Sequence, residues 1–219
     1  MDRFEKIKEL GRGATGTVFK AFDSEKGVMV ALKMPEPPPE GIDVPTHYRR
    51  EIEMLGSLNH DAVVKIIDQK LDPVSPWIAY EFVKGNTLRE LITSGKKFEP
   101  EEAVRITYEI ANGLRYIHDS GIVHRDVNPN NIMITTEGQV KIMDFGIAHR
   151  LGEPYPKQLA GTPGYMSPET AKGEEGLPES DLYSLGLIFY EMLAGEPVYT
   201  GLPNLRLILT NGLHLVSNP

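Results

Sequence analysis

At 219 residues, with 40% hydrophobic and 25% charged residues, the chain is long enough for one large domain or two small lobes around a substantial core. Its 31 acidic against 23 basic residues leave a net charge of −8, which argues against a nucleic-acid backbone as the main partner. The absence of cysteine excludes disulfides, zinc–thiolate sites and thiol nucleophiles, and fits a reducing, cytoplasmic setting.

The first third reads as strands. Residues 4–10 lead into a glycine-rich turn, 17–22 follow, and Gly27 precedes a third apolar run over 28–33. Residues 35–45 hold five prolines and are expected to form a loop; the PxxP string at Pro35–Pro38 is read as a connector rather than a docking motif. From Tyr48 the period changes: Tyr48, Ile52 and Leu55 share one face of a predicted helix. Two further strands are expected over 63–67 and 77–83, around a turn at Asp72-Pro73. Beyond Gly85 the chain is predicted to be mostly helical. Ala103, Ile106, Ile110, Leu114 and Ile117 keep three-and-four spacing behind Pro100 and two glutamates. Residues 1–6 lack the apolar core of a signal peptide. The most apolar run, 182–193, is interrupted by Ser184 and Gly186 and predicts a buried core helix, not a membrane span. The outline is a small strand-rich lobe with one helix, a connector near 83–86, and a larger helical lobe. Ligands bind preferentially in clefts between such units.

The chemistry-bearing residues follow in the same order. Gly11, Gly13, Gly16 and Val18 form a GxGxxGxV string, whose glycines let backbone amides approach phosphate oxygens. Alone it could be a dinucleotide fingerprint or a flexible turn; the strand-like residues after it favour a β-hairpin lid over phosphates. Lys33 ends an apolar strand, where a solvated charge is the default. A phosphate contact there would need a carboxylate partner, and Glu51 is preferred over Glu53, which sits almost opposite the face of Ile52 and Leu55. His124-Arg125-Asp126 with Asn131 five residues beyond the aspartate is more specific than a polar turn. It places Asp126 to accept a proton from an attacking hydroxyl and Asn131 to offer oxygen to Mg²⁺. Asp144-Phe145-Gly146 follows another apolar strand, and its carboxylate is the expected second source of metal-binding oxygen, a hard-oxygen set that suits Mg²⁺ with ATP phosphates.

Taken in order, these motifs resemble the eukaryotic-type Ser/Thr protein kinase catalytic domain over residues 4–195, including Gly161-Thr162 through Pro168-Glu169 and Asp181 through Gly186. The resemblance implies an α+β, bilobal fold. Its small antiparallel β-sheet N-lobe with one helix would span 1–83, and a mainly helical C-lobe 84–219. It implies Mg·ATP-dependent phosphorylation of Ser/Thr hydroxyls on protein substrates. Val18, Ala31 and Met133 are then expected around adenine, with backbone groups of Glu81 and Val83 on its edge. Tyr80 would gate the back of that pocket against inhibitors reaching behind adenine. Leu55, Ile66, His124 and Phe145 would form a stacked apolar spine anchored through Asp181. Thr162 and Pro129 lean towards Ser/Thr specificity, and the acidic charge hints at a basic substrate. The remaining histidines at 47, 60, 118, 149 and 214 show no ligand spacing.

Three departures from the family pattern carry expectations of their own. Asn128 stands where the family carries lysine, which predicts a slow enzyme; an ATP-binding pseudokinase acting as a scaffold is the alternative, and a small-molecule phosphotransferase a weaker third. Residues 147–161 contain no serine or threonine, with Tyr155 the lone hydroxyl. Activation is therefore expected without loop Ser/Thr phosphorylation, Glu153 substituting as a charge for Arg125. After 194 only one more helix is expected, over 202–212. That would leave Glu169 without its usual arginine partner and apolar surface for a protein partner or self-association to cover.

Overall fold

A computed structural model describes residues 3–13, 16–35, 44–71, 75–154 and 160–199, with side chains of 44–47 left aside. Strands β1 (Phe4–Gly13), β2 (Gly16–Asp23), β3 (Val28–Met34), β4 (Ile66–Lys70) and β5 (Trp77–Glu81) form an antiparallel sheet in the order β1-β2-β3-β5-β4. Period-two alternation sorts its two faces. Val30 and Leu32 on β3 bury with Ala21 and Ala79 in a small outer core. Ile78 and Tyr80 point to the other side, into the main core shared with helix α1 (Val44–Gly56). Tyr48, Ile52 and Leu55 are the predicted face of α1, and all three are buried in that core.

The helical lobe contains α2 (Leu88–Thr93), α3 (Pro100–Asp119), α4 (Pro168–Ala171) and α5 (Pro178–Ala194). Thr87 caps α2 with a reciprocal box to Glu90. Pro100, Glu101 and Glu102 open α3, as expected of a helix start. Ala103, Ile106, Ile110, Leu114 and Ile117 are each 0% exposed, so the three-and-four spacing marks the innermost stripe of the lobe. This half is less purely helical than its sequence suggests. Strands β6 (Gly85–Thr87), β8 (Ile132–Thr135) and β9 (Val140–Ile142) form a sheet, and β7 (Ile122–Val123) pairs with β10 (His149–Arg150). The strand expected over 63–67 begins only at Ile66, Val63 making an isolated bridge to Ile142. These pieces are two to five residues long, too short to establish a period. The expected turn at Asp72-Pro73, most of the proline-rich loop, Tyr155 and the helix expected over 202–212 lie outside the described residues. Among the described residues no helix is long and apolar enough to cross a membrane.

The sheet is stapled at its start by Arg3, which donates to Asp23 at 2.6 and 3.0 Å and to Asp68 at 2.6 Å. Its guanidinium also lies 5.0 Å from the Trp77 ring. The Arg3 hydrogen bond, outweighing burial, holds the Asp23 carboxyl below its ordinary 3.8, and the same donor lowers Asp68. A depressed carboxyl stabilises the fold above its unfolded value and loses that contribution as the pH falls through the folded one. The thermal midpoint is therefore expected to fall as the pH drops below about 4. Arg3→Ala should cost about 2–3 kcal/mol near neutrality and flatten that acid limb; an unchanged slope in thermal unfolding across pH would remove the staple from the account.

Candidate active site

The hairpin between β1 and β2 closes Gly13 onto Gly16. Gly16 has φ +147, and a Cβ there would stand 2.2 Å from the Met34 carbonyl oxygen and 2.8 Å from the Tyr48 hydroxyl. Gly11 and Gly13 face nothing within 4 Å, leaving open space on that side of the turn.

Lys33 lies on the same face of β3 as Ala31, opposite the Val30 and Leu32 side. Its Nζ donates to Glu51 Oε2 at 2.7 Å, with both side chains under 10% exposed. Glu51, not Glu53, is the carboxylate brought to Lys33. Burial works to lower the Lys33 pKa, but Glu51 and then Asp144 overcome it and raise the ammonium above its usual range. The lysine stays charged in a dry site. Glu51 Oε1 accepts from the buried Tyr80 hydroxyl. Burial first, then Glu51, keeps both Tyr80 and Tyr48 protonated as phenols.

Arg125, in the loop after β7, adopts φ +68 and Asp144, just after β9, φ +62, the two non-glycine residues with positive φ among those described. Asp181 braces the first: it accepts from the backbone N–H of His124 at 2.9 Å and of Arg125 at 2.8 Å, and His118 Nε2 stands 2.8 Å away. Asp126 lies next. Its Oδ1 accepts from Thr162 N at 2.8 Å and Thr162 Oγ1 at 2.7 Å, and its Oδ2 accepts from Asn131 Nδ2 at 2.9 Å. Asn128 is 2% exposed. Its amide donates to Thr162 Oγ1 at 3.1 Å and to the Asp126 carbonyl at 3.0 Å, while its Oδ1 accepts from Asn130 N. The side chain that replaces lysine is thus built into the loop as a fully used hydrogen-bonding group.

Asn131 spends its Nδ2 on the Asp126 carbonyl and carboxylate, which leaves its oxygen as the group to offer a cation. Asp144 Oδ1 accepts a long bond from Gly146 N, 3.2 Å. One amide oxygen and one carboxylate fit Mg²⁺, which keeps water and phosphate in most of its positions. Among the described residues no cluster of three or more His, Asp or Glu offers a competing all-protein metal cage.

Phe145 is fully buried with its ring centroid 4.8 Å from His124, edge-on, and Leu55 and Ile66 belong to the same continuous core. Val18, Ala31, Val83 and Met133 are half-buried, Val18 and Ala31 sharing the Lys33 face of the sheet through the β2–β3 register. Glu81 turns its side chain to Lys141, 2.7 Å away. Glu169 accepts from Ser180 Oγ at 2.6 Å, so the carboxylate expected to lack its usual partner is held from the first turn of α5. Glu153 sits 3.7 Å from Arg150. Among the described residues Glu175 brings a carboxylate to the cluster of Arg50, Arg125 and His149, 3.6 Å from His149 Nε2, with Arg50 3.2 Å from His149 Nδ1. A further network escaped the motif reading: Arg89 and Tyr165 both bond the buried Glu191 on α5. No short-range pattern links positions 26 to 102 residues apart in this way.

Sheet, helices and loop together define a protein kinase fold. The protein kinase domain family matches residues 4–212, and the chain belongs to that family. It is 42% identical over 209 residues to a probable serine/threonine-protein kinase of Streptomyces coelicolor, covering 91% of this chain and 31% of that protein. It is 36% identical over 212 residues to the serine/threonine-protein kinase PknB of Mycobacterium tuberculosis (91% and 34%). A probable PknB of Corynebacterium glutamicum is 37% identical over 215 residues (91% and 32%). The chain spans about a third of the length of these relatives.

Proposed function

We propose that this chain transfers the γ-phosphoryl group of ATP to serine or threonine hydroxyls of protein substrates by direct in-line displacement. The observation that carries the reading is the Asp126 carboxylate held from both sides by Thr162 and Asn131, in a chain that also buries the Lys33–Glu51 pair. In this reading residues 1–83 and 84–219 act as the two lobes. Gly11, Gly13 and Gly16 bring backbone to the phosphates, and Val18, Ala31 and Met133 enclose adenine beside the backbone of Glu81 and Val83. Lys33, kept charged and aimed by Glu51, holds the α- and β-phosphates. Asp126 orients the attacking hydroxyl and takes its proton as the new O–P bond forms and the β–γ bridging oxygen leaves with its electron pair. Asn131 and Asp144 would hold Mg²⁺, which neutralises charge on the phosphates when bound. Thr162 docks the substrate end of the site, while His124, Arg125, Phe145, Gly146, Glu169 and Asp181 hold the frame.

Regulation follows from the same residues. Glu175 supports activation without loop phosphorylation, since it brings carboxylate charge to the Arg50–Arg125–His149 cluster from within the chain. Leu177, Leu182 and Leu193 are exposed at and near α5, which supports a protein partner or second copy on that face, in a cytoplasmic protein.

One observation favours a second reading, an ATP-binding scaffold: Asn128 brings no charge to the transferring phosphoryl and has no spare donor. A single assay separates the two. Label from radiolabelled Mg·ATP should pass to the protein or to a basic protein substrate, disappear with EDTA, and disappear in Asp144→Asn. Asn128→Lys should raise turnover by about 10²-fold, the scale of one preorganised transition-state donor. Unchanged turnover in that variant refutes the slow-enzyme reading. No label from folded, Mg·ATP-binding wild type leaves the scaffold.

A further inference from the structure

We propose that Tyr80 is a positioning residue for the Lys33–Glu51 pair: its buried hydroxyl holds Glu51, and with it helix α1, in the arrangement that presents Lys33 to phosphate. What the pair does rests on the kinase reading above; the clamp itself does not.

The arrangement follows from register. Ala31 pairs with Tyr80 and Lys33 with Ile78 across the β3–β5 ladder, so Lys33 and Tyr80 are diagonal neighbours on one face of the sheet. That face looks onto α1. The two donors take one oxygen each of a single carboxylate, Lys33 on Oε2 and Tyr80 on Oε1. A buried phenol needs an acceptor, and Glu51 is the acceptor given to this one. Moving α1 outward therefore breaks two buried, charge-assisted bonds rather than one and strands both a phenol and an ammonium. An apolar side chain at position 80 would leave the Glu51 carboxylate held by the ion pair alone. Tyr48 adds a second tie from one turn earlier on α1: it is fully buried, 5.8 Å from Lys33 by ring centroid, and its hydroxyl fills the space under Gly16. Position 80 thus does more than fill the back of the adenine pocket. It couples the sheet to the helix that carries Glu51.

Tyr80→Phe keeps the ring and removes the donor. Steady-state transfer with Mg·ATP varied should show kcat down about tenfold, the scale of one buried hydrogen bond to a charged group, with KM for ATP within about twofold. In a Glu51→Ala background the same change should cost nothing further, because the acceptor it served is gone. An equal loss in both backgrounds, or no loss in either, overturns the clamp and leaves Tyr80 as packing. Tyr80→Met, which also lacks the donor, gives the same test should the phenylalanine variant not fold. If the wild-type chain transfers no phosphate, the kinase reading fails but the clamp is still measurable. Amide exchange over residues 48–56 should then quicken about tenfold in Tyr80→Phe while α3 is unchanged, and unaltered exchange sinks it.

Discussion

Replacing Asp181 with asparagine should cost the folded chain about 2–4 kcal/mol and lower phosphoryl transfer by about 100-fold. The carboxylate is 1% exposed and serves three donors: the backbone N–H groups of His124 and Arg125 and the His118 ring. Asparagine has one acceptor oxygen, so at least one of the two backbone amides would meet an NH₂ group instead. The amides in question belong to a strained turn, since Arg125 is held at φ +68. Such a conformation persists only when its surroundings over-determine it. Removing an acceptor lets the turn relax and shifts Asp126, the next residue, out of line. Urea unfolding and steady-state transfer measure the two effects separately. If Asp181→Asn unfolds at the wild-type midpoint, the brace is not what holds the loop.

The Asp181 motif was legible because its residue types are spaced in order after the catalytic loop, and the inward stripe of α3 was legible because a 20-residue helix repeats its period five times. His118 was not. It joins Asp181 from the last turn of α3, 63 residues away, and nothing in its neighbours distinguishes it from a surface histidine. Glu51 could be preferred over Glu53 because helical phase turns one towards the Ile52–Leu55 face and the other away. The phase could not reveal that a tyrosine on β5 claims the second oxygen of the same carboxylate, because that depends on cross-strand register. The apolar run before Asp144 marks β9, but the short strands β6, β7, β8 and β10 were missed for a related reason. They exist because neighbouring backbone pairs with them, not because of a pattern they carry. In the sequence Asn128 is a departure that keeps a hydrogen-bond donor but brings no charge. Its place between Asp126, Thr162 and Asn130 required the fold of 160–165 back onto the loop.

Asp126→Asn is expected to lower turnover by about 10²–10⁴-fold while leaving Mg·ATP affinity within a few-fold. The lost factor has two physical sources. An amide takes no proton from the attacking hydroxyl, so the general-base contribution disappears. The second source is orientation. Asp126 Oδ1 receives two donors from Thr162, and Oδ2 receives the Asn131 amide. An asparagine that keeps its oxygen towards Thr162 must set its NH₂ against the Asn131 NH₂, two donors facing each other. It therefore turns, or Asn131 does, and Asn131 is also the amide offered to the cation. Thr162→Ala separates these sources. It removes the Oγ1 bond but keeps the Thr162 backbone donor and the carboxylate, so turnover should fall only about tenfold. A Thr162→Ala loss as large as that of Asp126→Asn would mean that orientation, not proton acceptance, carries the effect. An Asp126→Asn variant that retains wild-type turnover would remove Asp126 from the chemistry altogether.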